Sequence, residues 1–153
     1  NLQDAINEVY DFFSNDIPES LGNINVAAEA ATTVPDVCTK ACDKAAAQIK
    51  RRSNKDHFWL AIKIAVQGGN EIFIPGRSLS YKEAISAARA GESIFADSKH
   101  NAYIVARAAS NGYRPIYHSA HKGGRCAGYF RHYHVRTGRK RDAKKGGHIF
   151  FLW

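Results

Sequence analysis

Methionine is absent from this chain of 153 residues, and cysteine (three) and proline (four) are scarce. A chain without methionine is expected to be a processed product or a domain cut from a longer one. A removed secretory leader accounts for it most simply, so the expected location is secreted. Three cysteines leave at least one unpaired within a single chain. Cys38 and Cys42 lie four apart on an expected helix, an awkward geometry for a bond. A bridge from either to Cys126 would tie the helical half to the basic half. No C-x-x-C and no zinc-finger spacing occurs, and the cysteines read as structural or inert. No apolar run nears the roughly 20 residues of a membrane span. The longest, 58–66, is interrupted by Lys63, so no membrane span is expected.

Acid is the other absence. Residues 112–153 carry one, Asp142, against ten Lys and Arg and five of the seven His. Residues 1–34 reverse this, with six acids and no Lys or Arg, within a net charge of +8. A face so basic points to RNA or another polyanion as partner, such as anionic lipid or sulfated glycan. The plain alternative is a solvated face that keeps the protein soluble. The acidic stretch is either a shield across the basic face or an ordinary solvated helix face.

The length fits one domain, 1–153, with a helical half (1–78) and a basic, His-rich half (79–153). Leu2, Ile6, Val9, Tyr10 and Phe13 predict an amphipathic helix over 2–13, and a short helix is read over 23–31. Thr32 to Asp36 opens a helix that runs to about Arg52, with Val37, Ala41, Ala45 and Ile49 inward. Ser53-Asn54 is read as the cap of a central core helix over 55–67, with His57 a packing residue near its start. A short strand is expected over 71–75. Ser80 and Glu83 form a capping-box pattern ahead of a helix ending at Gly91. A further helix runs from Ser98 to Ala109. Strands are expected over 113–118, from Tyr129 onward, and from His148 to the end, with Pro115 confining the first to an edge or bulge. The fold class is α+β, with N-terminal helices packed against a small C-terminal antiparallel sheet.

In a strand, residues two apart share a face. This puts Phe130, His132, His134 and Arg136 on one side and Arg131, Tyr133 and Val135 on the other. A hairpin across the basic loop would bring His148 to the first side. Metal-free RNA cleavage needs a base for the 2′-hydroxyl, an acid for the leaving 5′-oxygen, and cations at phosphorus. His132 and His148 are the candidate acid/base pair, His134 assists, and Arg136 and Arg139 hold phosphate. Tyr133, Arg131, Lys122 and His118 are candidate substrate contacts, Tyr133 by stacking or by donating to phosphate. A mechanism with a carboxylate base must borrow one, such as Glu83 or Glu92. No metal and no cofactor is assigned in this reading. H-x-H with a third His from a neighbouring strand is also a familiar zinc geometry, with His118 and His121 as further candidate ligands, giving a zinc-dependent hydrolase as an alternative. Local positive charge and the lack of a nearby acid count against that ion. A non-enzymatic, polyanion- or membrane-binding antimicrobial protein is the third reading.

The run from about Ser80 to Trp153 resembles C-terminal toxin domains of bacterial polymorphic and contact-dependent toxins. The pieces that carry this are Ile94-Phe95, the Ala-rich helix from Ser98 to Ala109, Pro115, His118, Arg131-His132-Tyr133-His134 and Gly147-His148-Ile149-Phe150-Phe151. Such domains are often metal-independent ribonucleases with helices packed on a small antiparallel sheet, like the group that includes barnase and the EndoU enzymes. The resemblance implies His132, His134 and His148 as the site, with Arg136 beside them. It also implies an inhibitor or immunity protein as a partner.

Overall fold

Aromatic and β-branched residues fill 58–66, and there the chain is a strand, not the expected core helix. The computed structural model describes residues 24–26, 34–66, 70–120, 130–140 and 143–152. The expected helix over 2–13, most of the acidic stretch, Lys122, Cys126 and Asp142 lie outside them.

Among the described residues three helices, α1 (Val34–Arg52), α2 (Tyr81–Arg89) and α3 (Lys99–Ala109), accompany seven strands. The strands are β1 (Ile24–Val26), β2 (Phe58–Val66), β3 (Asn70–Leu79), β4 (Ile94–Ala96), β5 (Ile116–His118), β6 (Arg131–His134) and β7 (Ile149–Phe151). All seven join one sheet in the order β1-β2-β4-β7-β6-β5, with β3 on the other edge of β2. The β1–β2 and β4–β7 pairs are parallel and the rest antiparallel.

This corrects the expected architecture. The sheet is mixed and extended, and three of its strands come from the half read as helical. The physical reason lies in β2. A strand buried on both faces reads as a continuous apolar run with no period of two, and such a run is easily taken for a buried helix. Trp59 and Phe95 are buried on one face, Phe58 and Leu79 on the other. The strand expected over 71–75 also proved longer. Pro75 and Gly76 do not end β3, because they sit opposite a register shift between Trp59 and Ala61, where a ladder bond is dispensable. The segment read as a short helix over 23–31 contains β1 instead.

The helices follow their local chemistry. In α1, Cys42, Ala45 and Ile49 recur on one buried face, and Lys50, Arg51 and Arg52 close its last turn against the helix dipole. In α2 the Ser80 hydroxyl accepts from Glu83 N–H at 3.2 Å while the Glu83 carboxylate accepts from Ser80 N–H at 3.0 Å. In α3 the Ser98 hydroxyl accepts from Asn101 N–H. Ala84, Ala87 and Ala88 of α2 and Ala102, Ala106 and Ala109 of α3 are buried, and their small side chains let the two helices approach closely.

Each sheet face therefore has its own cover. Tyr133, Ile149, Phe151, Ile94 and Ala96 pack beneath α2 and α3. On the opposite face Trp59, Phe95, Phe150 and Phe130 pack with Cys42, Ala45 and Ile49 of α1. Phe150 is at the middle of that face, with ring centroids of Phe73, Phe95 and Phe130 at 5.0, 5.2 and 6.0 Å. Phe150→Ala is expected to cost about 3–5 kcal/mol, and Phe150→Leu much less. Urea denaturation with unchanged slope is the check.

Candidate functional site

Strand register builds the site. Across β4, β7, β6 and β5 the partners on one face run Phe95, Phe150, His132 and His118. One step of two residues along β6 brings His134, and one step back along β7 brings His148. Period-two alternation thus places four imidazoles together where the aromatic row ends. Ring centroids are 5.2 Å for His118–His132, 4.8 Å for His118–His134 and 5.0 Å for His132–His134. His148 lies 4.8 Å from His132 and 4.9 Å from His134. Its ring stacks on Phe150 with 6° between planes.

The rings are held by backbone. His132 Nδ1 lies 3.0 Å from the Phe130 carbonyl and His134 Nδ1 3.2 Å from the Lys145 carbonyl. A carbonyl only accepts, so each Nδ1 carries the proton and each Nε2 presents a lone pair. His148 is fixed through its backbone, since its N–H donates to Ser93 Oγ at 3.1 Å and its carbonyl accepts from Ile94 N–H. Its Nδ1 is buried with no hydrogen-bond partner among the described residues.

Burial and repulsion from neighbouring rings keep His134 and His148 neutral. Desolvation first, then the neighbouring imidazoles and Lys144, push His134 down to about 4 and His148 down to about 3. Held neutral, these two rings keep a lone pair for a ligand or a proton and do not serve as acids. His132 and His134 are 4% and 5% exposed, whereas His118 and His148 are half-buried. His148 also lines a cleft of about 400 Å³ with Lys63, Glu71, Phe73, Glu92 and Ser93. Gly147 forms its lip. A Cβ there would fall 2.5 Å from the Gly91 carbonyl oxygen and 2.6 Å from that of Glu92.

The structure sorts the other sequence candidates. The hairpin face is as read, with His132, His134 and His148 together, and His118 joins them as a full member. Arg136 does not: its guanidinium donates to the Arg114 carbonyl at 2.7 Å and the Lys140 carbonyl at 3.0 Å, bracing the arm. Tyr133 points to the opposite face, buried between Tyr103, Tyr117 and Phe151, so it cannot stack a base. Arg131 is on that face too, 5.0 Å over the Phe151 ring. Alternation dictates both placements. Arg139 is exposed on the arm. Glu83 is engaged by Ser80 and Arg77, while Glu92 faces the cleft. His57 is exposed rather than packed, its Nδ1 2.6 Å from Asp97. Cys42 is a free buried thiol pushed up to about 12 by desolvation and then Asp43, hence inert.

Lys144 was missed. It sits opposite Arg136 in an isolated bridge that folds the basic loop into an extension of the β6–β7 hairpin. Thr137 N–H to the Ala143 carbonyl and Lys145 N–H to the Val135 carbonyl continue it. The only sequence signal was its place in a run of basic residues.

No family model, no curated protein and no solved structure matches this chain. The resemblance to toxin domains therefore stands on its sequence pieces alone. No helix among the described residues is long and apolar enough to cross a membrane.

Two outcomes are expected of chelator-treated protein. The folded pKa values of His134 and His148 lie below the unfolded value, so the unfolded chain takes up protons first. Their contribution to stability is complete above about pH 6.5 and is lost as pH falls toward 4 and 3. Thermal denaturation midpoints should fall across that window, and His148→Phe, which keeps the stack on Phe150, should flatten the slope. Gly147→Ala should destabilise by about 1–3 kcal/mol, because backbone rather than a flexible side chain must move; chemical denaturation measures it.

Proposed function

We propose that this chain cleaves RNA phosphodiester bonds at the four-histidine cluster. The observation that carries the reading is the convergence of His118, His132, His134 and His148 from three strands, beside Lys144 and at the mouth of a cleft. In the reaction the 2′-oxygen attacks its own phosphorus while its proton passes to an acceptor. The P–O5′ bond breaks, and the 5′-oxygen takes a proton from a donor, leaving a 2′,3′-cyclic phosphate. The acceptor comes from the cluster, with His148 nearest the cleft. The donor is His118 or His132, or a group that they hold, since His134 is held neutral. Lys144 supplies positive charge next to the phosphate, and the basic arm draws the polyanion in. Arg136 shapes the arm and takes no part in the chemistry. An acidic inhibitor or immunity protein would find its docking surface on the same arm.

Full-length protein incubated with total RNA should yield fragments ending in cyclic phosphate. His148→Ala should lower the rate by about 10²–10⁴ with RNA affinity nearly unchanged. Lys144→Ala should weaken binding and its salt dependence. RNA binding with no cleavage by the wild-type protein, unaffected by His148→Ala, would leave a polyanion binder in place of an enzyme.

A further inference from the structure

Four imidazoles packed largely edge to face are an unusual way to fill the end of an aromatic sheet face. An apolar residue at each position would extend the Phe95–Phe150 row without burying polar nitrogen. Something must repay the loss of water at these rings. The rings have the attributes of ligands. The Nδ1 atoms of His132 and His134 are each anchored on a main-chain carbonyl, the support that metal-bound imidazoles generally have. One nitrogen from each of His118, His132 and His134 lies within 4.8 Å of the other two.

We infer that His118, His132 and His134 form a binding site for one transition-metal ion of the zinc class, with an open coordination position facing His148 and the cleft. Neutral nitrogen donors select zinc, cobalt, nickel or copper over magnesium or calcium. Zinc at about 2.05 Å from each nitrogen sets ligand separations of about 3.3 Å, so the three rings must close slightly. His118 is the ring that swings in, being half-buried on β5, a short strand at the sheet edge. His148 stays outside the set because its stack on Phe150 and its bond to Ser93 hold it in place. The expected obstacles are met in the fold. Main-chain carbonyls take the supporting role for which the sequence offered no acid. Lys144 is exposed, so water weakens its repulsion of a bound cation without abolishing it. Three ligands with one open position is the arrangement of hydrolytic rather than structural zinc sites.

This inference goes beyond the RNA reading and does not depend on it. The test uses the full chain, stripped with a chelator and titrated with Co(II) and then Zn(II). Expected are one equivalent of Co(II) per chain, visible absorption bands of four- or five-coordinate cobalt, and their loss on zinc addition. Thermal midpoints should rise with metal concentration. His118→Ala, at the partly exposed edge, should weaken uptake at least about tenfold with an unchanged circular dichroism spectrum. His57→Ala should have no effect. Absence of saturable uptake by the wild-type protein, or uptake that survives His118→Ala, overturns the inference. RNA cleavage is scored separately. Metal uptake without cleavage removes the proposed function and leaves the site; cleavage undiminished by chelator, with no uptake, does the reverse.

Discussion

The pairing of β6 with β7 is the constraint on which the site depends. It sets His132 against Phe150 and Tyr133 against Ile149. A slip of one residue would turn His132 and His134 under α2 and α3 and put Tyr133 and Val135 among the α1-side aromatics. The register is held from both faces at once. Tyr133 stacks on Phe151 with 30° between planes on one side, and on the other the His132 ring packs against Phe150 with centroids 5.7 Å apart. The central rings of the fold and the reactive rings of the site are therefore neighbours in one ladder.

That ladder explains the electrostatics of the cluster. Its imidazoles sit at the boundary between a packed aromatic row and solvent. Desolvation dominates at His134 and His148, and repulsion from the neighbouring rings adds to it. Cations in this part of the chain are largely committed elsewhere. Arg136 braces the arm and Arg131 covers Phe151, so the charge that reaches the rings comes from Lys144. Neutral rings such as His134, anchored on a main-chain carbonyl, are suited to holding a transition-metal cation.

The local rules of the chain carried far into the result. The Ser80–Glu83 box, the Ser98 cap and the basic end of α1 stand where residue chemistry put them, because each is satisfied within one turn of backbone. The sharing of a face by His132 and His134 followed from alternation alone. The same rule places Tyr133 and Arg131 on the opposite face, which removes them from the substrate side. His118 was harder to place, since its distance from His132 depends on how the intervening chain returns β5 to the sheet.

The sequence by itself determined which side chains of a strand share a face, where the helices ending at Arg52, Arg89 and Ala109 lie, and that positive charge and histidine gather at one end of the chain. These are properties of neighbouring residues, governed by dihedral geometry and hydrogen bonds within a few positions. Only the tertiary structure decided that 58–66 is a strand, that β4 joins β2 to β7, and that four imidazoles meet. A doubly buried strand has no polar face to reveal its period, and a three-residue strand is too short to show one. Convergence of rings from three strands is set by which edges find each other, a choice made by packing across the whole sheet.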